Sequence, residues 1–236
     1  MRNYIELNGI SSNEIVGLLI QELPPISKPK MRTQIDEIDG RAGDIVTQLG
    51  FSAYDKTIEI GLYGDFDIDD FITFFNSSGK VVFSNEPDKF YNYQILEQID
   101  YERFIRFRSA KVKMHVQPFK YSAVEGTLKF TSFTDDEITV KNNGNYISKP
   151  IINITGSGTI NLSLNGYQIF EINMDNSTQI TIDTNLMEAY NPISKALLNR
   201  SVTGNYDNFS LNVGTNTISW SGTISEIDIE NYSRWI

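Results

Sequence analysis

Four aspartates, Asp65, Asp67, Asp69 and Asp70, crowd one short stretch. Alternating acids suit a loop calcium site, but such a loop also needs glycine at its sixth position and glutamate at its twelfth. Counted from Asp65, those positions hold Asp70 and Asn76, so the chelating pattern fails at both. A second acidic group is Asp135, Asp136 and Glu137, with Asp175 further on. Glycoside hydrolysis uses two carboxyls roughly 5–10 Å apart across a cleft, yet nothing in the spacing pairs these four, and they read as solvated surface. His115 is the single histidine and cysteine is absent. That removes a histidine pair for a metal, a zinc-thiolate site, a disulfide framework and a thiol nucleophile. No phosphate loop, dinucleotide fingerprint or nucleophile elbow occurs. The residues therefore propose no catalytic group, no metal ligand and no cofactor. Tyr167, Tyr190, Tyr206 and Trp220 are the side chains that could stack on a sugar, and aromatics of this kind also fill the cores of β-sandwiches.

The totals agree with a non-catalytic reading. The chain has 236 residues, 40% hydrophobic and 21% charged, which is globular composition. Its formal net charge of -10 disfavours the phosphate backbone of nucleic acid as a ligand. The opening M-R-N-Y-I-E-L-N has no apolar core of signal-peptide length, and no stretch has the run of apolar residues a membrane helix requires.

The elements that would position such groups divide at Lys111–Tyr121. Val112, Met114 and Val116 alternate with Lys111, Lys113 and His115, the period of a half-buried strand. Pro118 is expected to end it, having no N–H for a ladder. Before this strand lie an apolar start over Ile15–Ile20, an extended exit at Pro24-Pro25, an alternating run over Arg32–Ile38, a tight turn at Asp39–Asp44 and a strand over Ala53–Leu62. Ile68, Phe71, Ile72 and Phe75 recur at helical spacing, and the aspartates that precede them complement the helix dipole. Val81–Phe83 and Tyr91–Leu96 return to extended structure. The first half, residues 1–121, thus reads as an α+β domain with one helix on a mostly antiparallel sheet. In the second half, residues 122–236, short alternating runs are separated by Asn- and Gly-rich turns, with Asn165-Gly166 the strongest hairpin signal. That pattern predicts a β-sandwich.

From Glu14 to Tyr121 the order of features resembles the distal tail proteins (Dit) of long-tailed bacteriophages. The residues that carry the resemblance are Pro24-Pro25, Ile38-Asp39-Gly40-Arg41-Ala42-Gly43, the strand Thr57–Leu62, the helix Ile68–Phe75, Gly79–Ser84, Asp88–Tyr91 and Val116–Tyr121. Asn212–Gly222 is similar to the turn that ends the family's second domain, with Val213 where proline is common, and Tyr232–Trp235 is similar to its ending. The resemblance implies a mainly β chain: an N-terminal ring-forming domain, then a galectin-like or carbohydrate-module-like sandwich. It implies a virion protein with no enzymatic activity, which forms a homo-hexameric ring, single or stacked, joining the tail tube protein to tail-tip proteins and to a receptor-binding protein. Ring contacts are expected at Pro24, Pro25, Ile38, Gly40, Arg41, Tyr91 and Phe119. The alternative expectation is a carbohydrate-binding module that holds host cell-wall polysaccharide through Tyr167, Tyr190, Tyr206 and Trp220.

Overall fold

The computed structural model describes residues 2–175 and 177–236. The chain forms two compact units, Met1–Val124 with Ile236, and Glu125–Trp235. In the first unit the strands are β1 (Ile5–Leu7), β2 (Ile10–Ser11), β3 (Leu18–Glu22), β4 (Met31–Asp36), β5 (Ile45–Phe51), β6 (Tyr54–Leu62), β7 (Ser78–Phe83), β8 (Lys89–Gln94) and β9 (Ser109–Ser122). Seven of them make an antiparallel sheet in the order β2-β1-β7-β8-β9-β6-β3. One face buries alternate residues, among them Ile58, Ile60, Val112, Met114 and Val116. The period of two puts all of these on one side. Helix α1 (Ile68–Phe74) covers that face with Phe71 and Phe74. Its N-cap is Asp67, whose side chain accepts from the Asp69 N–H, so one of the crowded aspartates caps the helix.

A second helix, α2 (Tyr101–Phe107), follows where a single helix was expected. The Asp100 side chain accepts from the Arg103 N–H and caps its start, and Arg108 closes it in the left-handed conformation at φ 57°. Phe104 is fully buried and meets Phe71 edge to face at 5.7 Å, which pins the two helices together. Phe104 is its one fully buried residue, while Ile105 and Phe107 stay exposed, and the cap is its main sequence signal.

Strand β9 also corrects an expectation. It runs through Pro118 to Ser122. Its pairing with β8 matches Tyr91 to Lys120 and Tyr93 to Val116, so the register shifts opposite Asn92. Pro118 sits in this bulge, where a missing N–H interrupts no ladder bond. On the other face of the sheet Val82, Phe90 and Tyr121 form a small separate cluster with Phe119 against it.

The second unit is one curled sheet around one core. Its strands are β10 (Leu128–Phe130), β11 (Glu137–Asn142), β12 (Ile151–Leu164), β13 (Tyr167–Asn173), β14 (Gln179–Asp183), β15 (Glu188–Tyr190), β16 (Val202–Gly204) and β17 (Gly214–Glu230). The runs that read as separate short strands, Ile151–Ile154 and Ile160–Leu164, are two halves of β12. Thr215–Trp220 and Ile224–Ile229 likewise belong to β17. The first half of β12 pairs with β14 and the second half with β13, while β17 pairs along both. The bend lies at Gly156 and Gly222. A Cβ on Gly156 would come 2.4 Å from the Thr223 carbonyl oxygen, and one on Gly222 would come 2.4 Å from that of Thr159. The glycines that looked like strand breaks are thus where two long strands cross closely and turn the sheet on itself. The core so enclosed includes Ile152, Ile154, Leu162, Phe170, Ile182, Ile218, Ile227 and Ile229.

Candidate functional site

Three surfaces bring together the residue types that could act. The first is the Pro24-Pro25 exit from β3. Pro24 is buried and Pro25 exposed. The Asn85 amide donates to the Pro24 carbonyl at 3.0 Å, and the Lys56 ammonium donates to the Pro25 carbonyl at 2.8 Å. Lys56 points to the core side of β6 because it shares parity with Ile58 and Ile60, and it is 3% exposed. Its Nζ lies 4.9 Å from the Tyr91 ring centroid and 5.6 Å from those of Tyr54 and Phe83. Beside it Glu86 accepts from the Tyr91 hydroxyl at 2.8 Å and from Lys120 at 2.9 Å. Burial pulls the Lys56 ammonium down from 10.5 to about 8, against the attraction of Glu86. Burial likewise raises the Tyr91 hydroxyl far above its ordinary value, with Tyr54 and Glu86 adding to the shift. This cluster of ionised and aromatic groups fastens the extended segment to the unit. The sequence carried one sign of it, the parity that sets Lys56 with Ile58 and Ile60, and no local sign of its neighbours Tyr91 and Glu86.

The second surface is the ribbon of β4 and β5, which pair only with each other. Ile35 and Val46 are cross-strand partners on one face; Ile45 and Leu49 lie at positions of the opposite parity. Ile35 is 57% exposed, Val46 56% and Leu49 51%. A lone two-stranded ribbon is at best marginal in water, and this one is apolar on both faces. Ile38, Gly40 and Arg41 lie in its exposed tip. At its base Phe51 meets Phe119 edge to face at 5.9 Å.

The third surface belongs to the second unit. Trp220 is buried against Phe133, with ring centroids 4.8 Å apart, and Tyr206 packs on Phe170 at 5.0 Å. Trp220 is a core residue, and Tyr206 is half-buried with one side of its ring against the core. Tyr167 is 77% exposed beside the Asn165-Gly166 turn. Tyr190 lines a groove, where Lys195 lies 5.3 Å from its ring centroid.

Tyr91 also proves to be core. It is fully buried and bonded to Glu86, so it shapes the unit from within and is no surface contact. Buried Pro24 is in the same position. The remaining expected contacts, Pro25, Ile38, Gly40, Arg41 and Phe119, are exposed or half-buried, and the structure gathers Ile38, Gly40 and Arg41 at the ribbon tip and Phe119 at its base. Among the described residues no group of three or more acidic or histidine side chains is arranged to hold a metal ion. His115 bonds Asp55 at 2.8 Å, and that contact, with Lys113, holds the Asp55 carboxyl below its usual range.

No family model and no curated protein matches the sequence. Solved structures do match its fold. The Dit protein of phage SPP1, described as a paradigm of the hub adsorption apparatus in phages that infect Gram-positive bacteria, superposes with a TM-score of 0.63 at 17% identity, covering 100% of both chains. The chain has the fold of a distal tail protein. A chain of the phage P2 baseplate in its activated conformation with Ca is also similar, with a TM-score of 0.52 at 9% identity, covering 98% of this chain and 97% of that one. The mainly β architecture expected of the Dit fold is what the two curled sheets and two short helices provide. Residues 32–50, which make up most of the ribbon, are exposed throughout.

Proposed function

We propose that this chain is a non-enzymatic structural hub of a phage tail tip, located in the virion. The observation that carries the reading is the fold likeness to SPP1 Dit along the whole length of both chains. In this reading residues 1–121 assemble into a homo-hexameric ring, single or stacked, and residues 122–236 form a peripheral domain. The ring joins the tail tube protein to tail-tip proteins and to a receptor-binding protein. A ring closes through heterologous contacts, in which one patch meets a different patch on the next subunit. The β4–β5 ribbon supports this: its apolar faces and two unpaired edges have no partner strand within the unit. Pro25 and Ile26, exposed just before the ribbon, extend the same apolar surface.

The test is solution mass by light scattering coupled to size exclusion, on the full chain and on a variant with Ile35→Thr and Val46→Thr. The expected result is a species of about six chains for the parent and smaller species for the variant. A parent that stays monomeric alone and also in the presence of purified tail tube protein refutes the ring.

Carbohydrate holding by the second domain is a separate reading. The observation that favours it is the position of Tyr190 in a polar groove.

A further inference from the structure

Helix α2 runs against the charge of the chain. The sequence carries 30 acidic and 20 basic residues, yet Arg103 to Lys113 holds five basic residues and no acidic one. Arg103, Arg106 and Arg108 are exposed on α2 and at its C-cap. Arg103 and Arg106 both lie over the Phe107 ring, with their guanidinium carbons 5.8 Å and 5.7 Å from its centroid. Phe107 is itself 62% exposed. Positions 103, 106 and 107 are spaced i, i+3 and i+4, so they share one face of the helix. Among the described residues none of these three arginines forms an ion pair. Of the acids just before them, Asp100 is committed to capping α2 and Glu102 is exposed. A guanidinium resting on an aromatic face still offers its N–H edge to a carboxylate.

A matching surface lies in the same unit. From Asp65 to Gly79 there are four acidic residues and no basic one. Asp67 caps α1, while Asp65, Asp69 and Asp70 are exposed and, among the described residues, form no ion pair. On α1 the exposed Asp69, Ile72 and Thr73 repeat the i, i+3, i+4 spacing. Within one copy α1 and α2 pack through Phe71 and Phe104, and their charged faces do not pair there. Each face therefore lacks what the other carries.

Charge also argues for a second copy of this chain as the occupant. At a net charge of -10 two copies repel at long range. Any assembly of the chain needs places where opposite charges face each other, and the one arginine-rich helix and the one aspartate-rich helix start supply such a pair.

We infer that α2 of one copy docks on α1 of a second copy, with Arg103 and Arg106 pairing with Asp69 and Asp70 and Phe107 covering Ile72. The inference rests on the ring reading of the first unit and names one of its contacts. Each helix has seven residues and is about 10 Å long, too small to hold an assembly alone. The contact sets which faces meet, and other surfaces such as the ribbon supply the remaining area.

The test reads sedimentation velocity across a dilution series of the full chain. It is run at about 0.1 M and about 1 M salt, where the screening length falls from about 10 Å to about 3 Å. The parent is compared with Arg103→Glu plus Arg106→Glu, with Asp69→Arg plus Asp70→Arg, and with an equimolar mixture of the two variants. Every substituted position is exposed, and far-UV circular dichroism checks that each variant keeps the parent's fold. If the two arginines cost α1 its fold, Asp69→Lys alone replaces them. The expected result is a parent whose assembly weakens in high salt, and reversal variants that each need roughly tenfold or more protein to assemble. The mixture should regain the parent's assembly, because the acidic α2 of one variant then faces the basic α1 of the other. Phe107→Ser, which keeps every charge, should weaken assembly several-fold without changing its salt dependence. Assembly that neither reversal weakens overturns the inference and leaves the ring standing, as does weakening that the mixture fails to repair. A parent that stays monomeric alone at low salt overturns it too, and the ring is then decided by the measurement with tail tube protein.

Discussion

Replacing Lys56 with methionine should change how the first unit's stability responds to pH more than it changes stability itself. Lys56 is a buried ammonium held by one carbonyl and three ring faces, while both oxygens of the neighbouring Glu86 are taken by Tyr91 and Lys120. Its pKa is about 8 in the fold against an ordinary 10.5. A depressed base binds fewer protons folded than unfolded, so stability is lowest below pH 8 and rises as pH climbs from 8 towards 10.5. The full shift corresponds to about 3 kcal/mol, and the portion released between pH 7 and pH 9 is about 1.3 kcal/mol. Above pH 10 the unfolded tyrosines ionise before buried Tyr54 and Tyr91 do, which reverses the slope, so pH 9 is the upper limit of the test.

At neutral pH two effects of Lys56→Met oppose each other. The burial cost of the ammonium disappears, and the charge-assisted bond to the Pro25 carbonyl, worth about 1.5–3 kcal/mol, is lost. The absolute stability is therefore a poor reporter and the slope is the informative quantity. Urea unfolding at pH 7 and pH 9, followed by far-UV circular dichroism, should move the parent's first-unit midpoint up by roughly 1 M, given m-values of about 1–2 kcal/mol/M. The variant should show no such rise. Trp220 is buried in the core of the second unit, so its fluorescence, read in a Trp235→Phe background, supplies a control that should not differ between parent and variant. Equal slopes in the two proteins would refute the claim that a buried, charged Lys56 fastens the Pro24-Pro25 segment.

Two further substitutions test the fold. Gly222→Ala places a methyl against the Thr159 carbonyl at a φ of 103° and should destabilise the second unit by about 2–4 kcal/mol, read as an earlier tryptophan-monitored unfolding transition. Asp100→Ala removes the cap of α2 and should cost the first unit about 1 kcal/mol, with Asp100→Asn restoring most of it, both measured by urea unfolding.

The parts of the molecule that were legible in the sequence are those where one local rule acts alone. The alternation of Val112, Met114 and Val116 placed the central strand and its buried face, and the spacing of Ile68, Phe71, Ile72 and Phe75 placed α1. Where two strands cooperate, local rules misled. Pro118 breaks a strand only if its N–H is needed, and a bulge against β8 removes the need. Gly156 and Gly222 look like turns until each is seen to make room for the other strand's backbone. Helix α2 is as long as α1 but was not read, because of its apolar residues only Phe104 is fully buried while Ile105 and Phe107 stay exposed.

The sequence by itself determined the chemistry that is absent from its residue types, with no cysteine and one histidine, and the strand-rich character of both halves. Composition and period are properties of single stretches, so they can be read without knowing what lies opposite. Only the tertiary structure decided which aromatics are surface and which are core. Tyr91 and Trp220 went inward and Tyr206 is half-buried, while Tyr190 came to line a groove. It also decided that Lys56, Glu86 and Lys120 share one buried cluster and that Asp228, Asn153 and Thr181 share one row. These groups lie tens of residues apart, and what joins them is strand register, which is set by pairing across the whole sheet and by no local pattern.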